Sequence, residues 1–224
     1  MFEKNGVDYS YTENRELSWL KFNLRVLEEA DCEDTPAFER LKFISIFTSN
    51  LDEFYMVRVG SLYDLALAGD DEPDNKSGMT CSEQLDAIFD RTPELCRKKD
   101  ESYARVADAL AKQHICRPSY NDLTSSEKKF VEKYFKKSIL PLLSPQIVDN
   151  MHPFPHLVNK RLYIAAVLRH GKNCCYGLIP VSPALSRIVP MPESELRFML
   201  LEDIILQFAD LVFERYEVSE KLVV

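Results

Sequence analysis

The apolar positions in the first half of the chain repeat at helical spacing. Leu17, Leu20, Leu24 and Leu27 come at intervals of three, four and three, and Trp19, Phe22 and Val26 widen the stripe. This predicts an amphipathic helix beginning at Asn14. The acidic residues from Glu28 to Asp34 suit a helix start better than a helix end, so they belong with the second helix rather than the first. Thr35 then reads as a cap, with Pro36 at the first helical position. Phe38, Leu41, Ile44 and Phe47 recur at every third position, and a second run holds Leu51, Phe54, Tyr55, Val59, Leu62 and Leu65. Between the two runs sit Thr48, Ser49 and Asn50, residues that prefer to cap a helix rather than lie inside one. Asn50 with Glu53, and Ser49 with Asp52, read as capping-box variants. The pattern therefore predicts a break here and a new helix. Its unpaired N–H groups would face either an anion, such as a nucleotide phosphate, or its own Asp52 and Glu53.

That helix is expected to stop at Gly69, before a loop over 70–78 that contains Pro73, Asn75 and Gly78. Thr80 with Glu83 forms a capping box for a fourth helix, whose stripe of Leu85, Ile88, Phe89, Leu95, Tyr103, Val106 and Leu110 runs to about Lys112. Pro93 predicts a kink or a short break within it. Beyond Arg117 and Pro118 the pattern changes. Thr124 with Glu127 opens a capped helix with Phe130, Val131, Tyr134 and Phe135 on one face. Strands are then expected. Residues 139–143 form a short apolar run, and 162–168 form a continuous one of the kind a strand covered on both faces requires. His170 and Gly171 make a turn into a hairpin partner over 176–181, and a third strand runs over 197–201. Glu202 opens a last helix carrying Ile204, Ile205, Phe208, Leu211 and Val212. The expected fold is mainly α: a helical bundle over residues 1–115, succeeded by a partial α+β domain over 116–224 that breaks off mid-fold.

Charge sharpens this division. Residues 1–115 hold 24 acidic and 14 basic side chains, a net of −10, and residues 116–224 hold 12 and 14, a net of +2. The first part should repel polyanions over most of its surface, so an anion bound there needs a local cradle. Lys128, Lys129, Lys133, Lys136 and Lys137 make one basic helix face, which reads as a solvated surface rather than a nucleic-acid contact. No nucleic-acid partner is expected. No apolar run reaches the length of a membrane span, and residues 1–11 lack the form of a secretory signal. A cytoplasmic protein is expected, with peripheral membrane association left open.

The usual chemical motifs are missing. The six cysteines, Cys32, Cys81, Cys96, Cys116, Cys174 and Cys175, show no C-x-x-C spacing, so reduced thiols and no metal site are expected. With six glycines there is no phosphate-binding Gly-rich loop. His170-Gly171-Lys172 resembles the opening of an H-x-K-x-x-x-x-D motif, but Gly177 stands where Asp is needed. His152 and His156 flank prolines in a rigid loop, where contact with a ligand competes with an ordinary loop role.

Several ordered motifs do carry a resemblance. Asn14-Arg15-Glu16-Leu17-Ser18-Trp19-Leu20, Phe22-Asn23 and Arg25-Val26-Leu27 resemble the opening of the polyphosphate kinase family, which makes long-chain polyphosphate from ATP. So do Glu39-Arg40-Leu41-Lys42-Phe43 and Ser49-Asn50-Leu51-Asp52-Glu53-Phe54 with Val57-Arg58-Val59. His152-Pro153-Phe154-Pro155 and Leu201-Glu202-Asp203-Ile204-Ile205 resemble its head domain. The motifs run in family order over almost the whole chain. The resemblance implies a helical N-terminal domain, then part of a head domain used in homo-oligomer contacts. It implies that Asn50 lies where the family's N-terminal domain touches the base region of ATP. It implies transfer of the terminal phosphate of ATP to polyphosphate through a histidine in later domains, with Mg²⁺ stabilising the spread charge. No such histidine and no Mg²⁺ ligand is identified in this chain, so the segment alone is expected to be inactive. The competing expectation is a truncated, non-catalytic helical interaction module.

Overall fold

The computed structural model describes residues 3–4, 7–69, 72–171, 173–192 and 194–224. Lys172 of the histidine motif, and Asp70 and Asp71 of the first predicted loop, lie outside the described residues. The chain divides into two compact units, residues 1–113 and 114–224.

The first unit is helical apart from a two-residue ladder, β1 (Glu3–Lys4) with β2 (Val7–Asp8). Helix α1 spans Arg15–Glu28 and starts where its cap chemistry says it should. Asn14 Oδ1 accepts the N–H groups of Glu16 and Leu17 at 3.0 and 3.1 Å. Its Nδ2 donates to Gln84 Oε1 at 2.8 Å and Ser77 Oγ at 3.2 Å, tying the cap to helix α4 (Cys81–Ala111) and the turn before it. Thr80 and Glu83 make the expected capping box of α4. No break occurs at Pro93, which lies inside one 31-residue helix.

Helix α2 (Ala37–Phe54) departs most from expectation. Pro36 takes the cap position one residue later than predicted and Thr35 makes no cap bond. More importantly, Thr48, Ser49 and Asn50 lie inside a continuous helix rather than at a start. Two of the three side chains find partners: Thr48 Oγ1 donates to Ile44 O one turn back at 2.9 Å, and Asn50 reaches across to α1. A side chain satisfied this way no longer competes with the backbone ladder, so the helix continues. The irregularity falls later, as a π turn over Tyr55–Val59 that runs straight into α3 (Gly60–Leu67). Its i→i+5 bonding lets Phe54 and Val59, 2% and 6% exposed, both face the core. Gly69 ends the rod with φ at +73°, a left-handed conformation that suits glycine. Leu17, Leu20, Leu27, Ile44, Phe47, Leu85, Ile88 and Val106 fill the interior.

The second unit is α+β. Helix α5 (Ser125–Tyr134) carries the predicted Thr124–Glu127 capping box and continues through a second π turn, Phe135–Ile139. Residues expected as a strand from Ile139 onward form instead the end of this π turn and a 3₁₀ turn, Leu140–Leu142. A short apolar run does not distinguish a strand from a buried helical segment, and here Val131, Phe135 and Ile139 are all fully buried at helical spacing. The four-stranded sheet has the order β3 (Gln146–Val148), β5 (Asn173–Pro180), β4 (Tyr163–His170), β8 (Glu217–Val223), with every pair antiparallel. The β4–β5 hairpin is the one predicted. A second hairpin joins β6 (Ile188–Met191) to β7 (Ser194–Leu200), the latter covering the expected third strand. Helix α6 (Leu201–Gln207) and the short α7 (Ala209–Val212) complete the core with Ile204, Ile205 and Ala209. Gly177 has a packing reason: a Cβ there would stand 2.5 Å from the Phe213 ring and 2.8 Å from Leu168.

Candidate functional site

In the first unit α1 and the rod from α2 into the π turn form a cleft of about 290 Å³. Asn50 and Glu53 line it from α2, Val57 and Arg58 from the π turn, and Trp19 and Phe22 from α1. The walls are aromatic. Trp19 stacks on Phe54 with ring centroids 4.3 Å apart and planes 6° from parallel. Phe54 meets Tyr55 edge-on, and Tyr55 Oη lies 2.6 Å from Thr92 Oγ1 on α4, which fixes the far side of the stack. The cation on the lining, Arg58, is already neutralised. Arg58 Nε sits 3.2 Å from both carboxylate oxygens of buried Glu16, and its Nη2 also bonds Glu16 Oε1. Hydrogen bonds to Glu16 raise the Arg58 pKa above the ordinary arginine value, so it stays a fixed cation.

The sequence pointed to Asn50, and the structure places it half-buried on this lining, though not at a helix N-terminus. The anion-cradle reading of Asn50 therefore falls: backbone N–H groups in mid-helix are already bonded within the helix. What Asn50 offers is its carboxamide. Nδ2 donates to Asn23 Oδ1 at 3.1 Å, and Asn23 Nδ2 in turn donates to Phe47 O at 3.1 Å. The Asn23 and Glu16 partners were not singled out in the sequence. Both stand inside motifs that carry the family resemblance, but their pairings span 27 and 42 residues, beyond what spacing reveals. An aromatic-walled cleft with one amide edge, its arginine paired and the Glu53 carboxylate on its lining, suits an aromatic heterocycle with hydrogen-bonding groups better than a phosphate chain.

The other candidate residues lie elsewhere. His152 Nδ1 is 2.9 Å from Asp149 Oδ1, which also accepts the N–H groups of Met151 and His152 at 2.8 Å each. The His152 contact is the main reason the Asp149 carboxyl is held below its ordinary value. This clasp shapes the loop, and His156 is exposed. His170 Nδ1 lies 3.1 Å from Arg215 O. A larger open cavity, about 880 Å³, runs past His170, Cys174 and Arg215. Asp149, Cys175 and Tyr216 also line it. Of the lysine face, Lys128 donates to Asn121 O and sits over the Tyr120 ring, and Lys136 pairs with Glu132. None of the six cysteines is joined in a disulfide, and burial pushes the Cys175 thiol up. Among the described residues no group of three or more His, Cys, Asp or Glu side chains is placed to hold a metal ion. Among the same residues no helix is long and apolar enough to cross a membrane.

A helical unit followed in the chain by an antiparallel α+β unit defines the architecture, and comparison with known proteins gives it a family. Residues 12–117 match the polyphosphate kinase N-terminal domain and residues 126–224 match the polyphosphate kinase middle domain. The chain belongs to the polyphosphate kinase family. It is 42% identical over 224 residues to the polyphosphate kinases of Bacillus anthracis and Bacillus cereus, with 96% of this chain and 32% of each relative covered. The crystal structure of polyphosphate kinase from Porphyromonas gingivalis superposes with a TM-score of 0.76 at 29% identity, covering 96% of this chain and 32% of that one. The chain thus spans about a third of the length of the curated relatives it matches.

Proposed function

We propose that this chain is the nucleotide-facing part of a phosphotransferase that moves the terminal phosphate of ATP onto inorganic polyphosphate. Asn50 and the aromatic walls around it form one side of the pocket for the base of ATP. The phosphate passes through a phosphohistidine carried by polypeptide beyond these residues, so the 224-residue chain alone is inactive. Residues 1–115 act as the nucleotide-side domain and 116–224 as the head domain, which contributes to a homo-oligomer surface. Mg²⁺ belongs to the phosphate end of the reaction. Among the described residues no group of three or more His, Cys, Asp or Glu side chains is placed to hold it.

The observation that supports this reading most is the cleft itself: a stacked Trp19–Phe54 pair beside an amide edge, in a chain of this family. Trp19 is the chain's single tryptophan, so its fluorescence reports on the cleft. Titrating ATP against the chain should quench Trp19, and calorimetry should give a matching affinity. Asn50→Ala should weaken binding about tenfold, the size of one lost hydrogen bond in a semi-enclosed site. Unchanged affinity in Asn50→Ala would remove that residue from the pocket. Polyphosphate synthesis by the purified chain would overturn its predicted inactivity.

A further inference from the structure

We infer that Asn23 is a positioning residue that fixes which end of the Asn50 amide faces the cleft, and so selects a 6-amino purine over a 6-oxo purine. The inference rests on the nucleotide reading above and deepens it. Its starting point is a group that has no choice. The backbone carbonyl of Phe47 is only an acceptor, so the side-chain atom of Asn23 facing it at 3.1 Å must be the amide nitrogen. Asn23 is 0% exposed, and no water-facing rotation is open to it. Its other end, Oδ1, is then the only atom it can turn toward Asn50. That oxygen is an acceptor, so Asn50 must meet it with Nδ2, as it does at 3.1 Å. Polarity is handed along the chain of bonds: carbonyl, amide nitrogen, amide oxygen, amide nitrogen. The assignment of oxygen and nitrogen within both amides comes from this network.

With Nδ2 turned to Asn23, the opposite end of the Asn50 amide is Oδ1, an acceptor, and one Nδ2 hydrogen remains as the competing donor. An acceptor recruits a donor. The exocyclic 6-amino group of adenine is one, whereas a 6-oxo group in the same place would put two acceptors face to face. A site built for one polarity rejects the other by more than the loss of a single bond, because the mismatched groups also lose water where the ligand covers them. Asn23 serves neither a helix cap nor a loop, and a leucine has the same branched shape, though more bulk, without a buried polar group. Its presence between Leu20 and Leu27, both buried on α1, is accounted for by this role.

The test uses Trp19 fluorescence and calorimetry on the full chain with three probes: ATP, inosine triphosphate and the triphosphate of unsubstituted purine riboside. The wild-type chain should bind ATP best, the unsubstituted purine less well and inosine triphosphate at least about tenfold more weakly than ATP. Asn23→Leu should release the Asn50 amide to rotate, so that the ATP-to-inosine ratio falls to within about twofold. A merely structural role would weaken both nucleotides together and leave the ratio alone. A wild-type preference for ATP that survives in Asn23→Leu would overturn the inference and leave the nucleotide site standing. Binding of none of the three would overturn the nucleotide reading itself. Should Asn23→Leu fail to fold, the wild-type series decides alone: equal affinity for ATP and inosine triphosphate overturns the inference.

Discussion

The two units bury polar side chains in different ways. In the first, Asn14, Glu16, Asn23, Arg40, Gln84 and Ser102 are all buried. In the second, the described residues include only two such groups, Glu127 and Glu202, each paired to an arginine. Glu127 closes the cap of α5 and also binds Arg197 on β7, with Arg197 Nε 2.6 Å from its Oε1. Glu202 sits at the start of α6 and binds Arg187 ahead of β6. Both acids hold elements together. Part of the first unit's polar interior is structural too: Asn14 caps α1, and Arg40 Nε donates to Ala30 O at 2.6 Å. Asn23 and Glu16 differ, because the groups they hold, Asn50 and Arg58, line a cleft. Buried polarity that ends at a concave surface is a sign of recognition, while buried polarity that ends at a cap is a sign of assembly.

The sharpest way to break this contrast is to overpack the second unit, whose interior is nearly all apolar. Gly177→Val should cost about 3 kcal/mol, because Phe213 and Leu168 are buried and have little room to move. Denaturation monitored by far-ultraviolet circular dichroism reads the loss, with Trp19 fluorescence as the reference for the first unit. Glu127→Gln should cost about 2 kcal/mol, since it weakens a pair in which the acid's side chain is 4% exposed and the arginine's 30%. Its pH signature has a definite sign. Arg197 holds the Glu127 pKa below its ordinary value of 4.5, so the stabilisation is fully present above that value. It should fade as pH falls through the depressed folded-state pKa. The gap between wild type and Glu127→Gln should therefore close in acid, and a gap independent of pH would deny the ion pair its role.

Smaller effects sharpen the comparison from the other side. Glu16→Gln should cost the first unit about 1–2 kcal/mol, less than a fully buried pair because the Arg58 side chain is 42% exposed. It should also loosen Arg58, which nucleotide titration of the variant would register as an affinity change larger than the stability loss alone explains. Thr80→Ala removes one hydroxyl acceptor from the start of α4 and should cost about 1 kcal/mol. It should leave nucleotide affinity unchanged, as a purely structural cap predicts.

How much the sequence disclosed depends on how far each interaction reaches. The caps at Thr80 and Thr124 involve groups three residues apart, and each was legible as a spacing, whereas Asn14 was legible only as the place where the apolar stripe begins. The β4–β5 hairpin was legible because His170 and Gly171 separate two apolar runs, although the partner strand begins at Asn173 rather than at 176. Strands β3 and β8 were not, since each is defined by a partner some 30 to 60 residues away and neither is markedly apolar. The break expected at Asn50 failed for the same reason. Thr48, Ser49 and Asn50 look like helix starters only while the partner on α1 is unknown. The aromatic residues of the cleft and Asn50 itself stood out, but the Asn23 relay and the Glu16 clamp became visible only when α1 and α2 were laid side by side.

The wide turn at Tyr55–Val59 sets the phase of the rod. In an unbroken α-helix, Arg58 would lie about 80° around the axis from Asn50, eight residues earlier. Seven residues would bring it almost back into line, and the π turn makes eight behave nearly as seven. The rod thus contains one surplus residue, absorbed locally instead of being passed on as a rotation of everything beyond it. Shortening the chain by one at Met56 should leave Asn50 and Arg58 in step, whereas the same excision at Ser45 would slew the apolar seam away from α1.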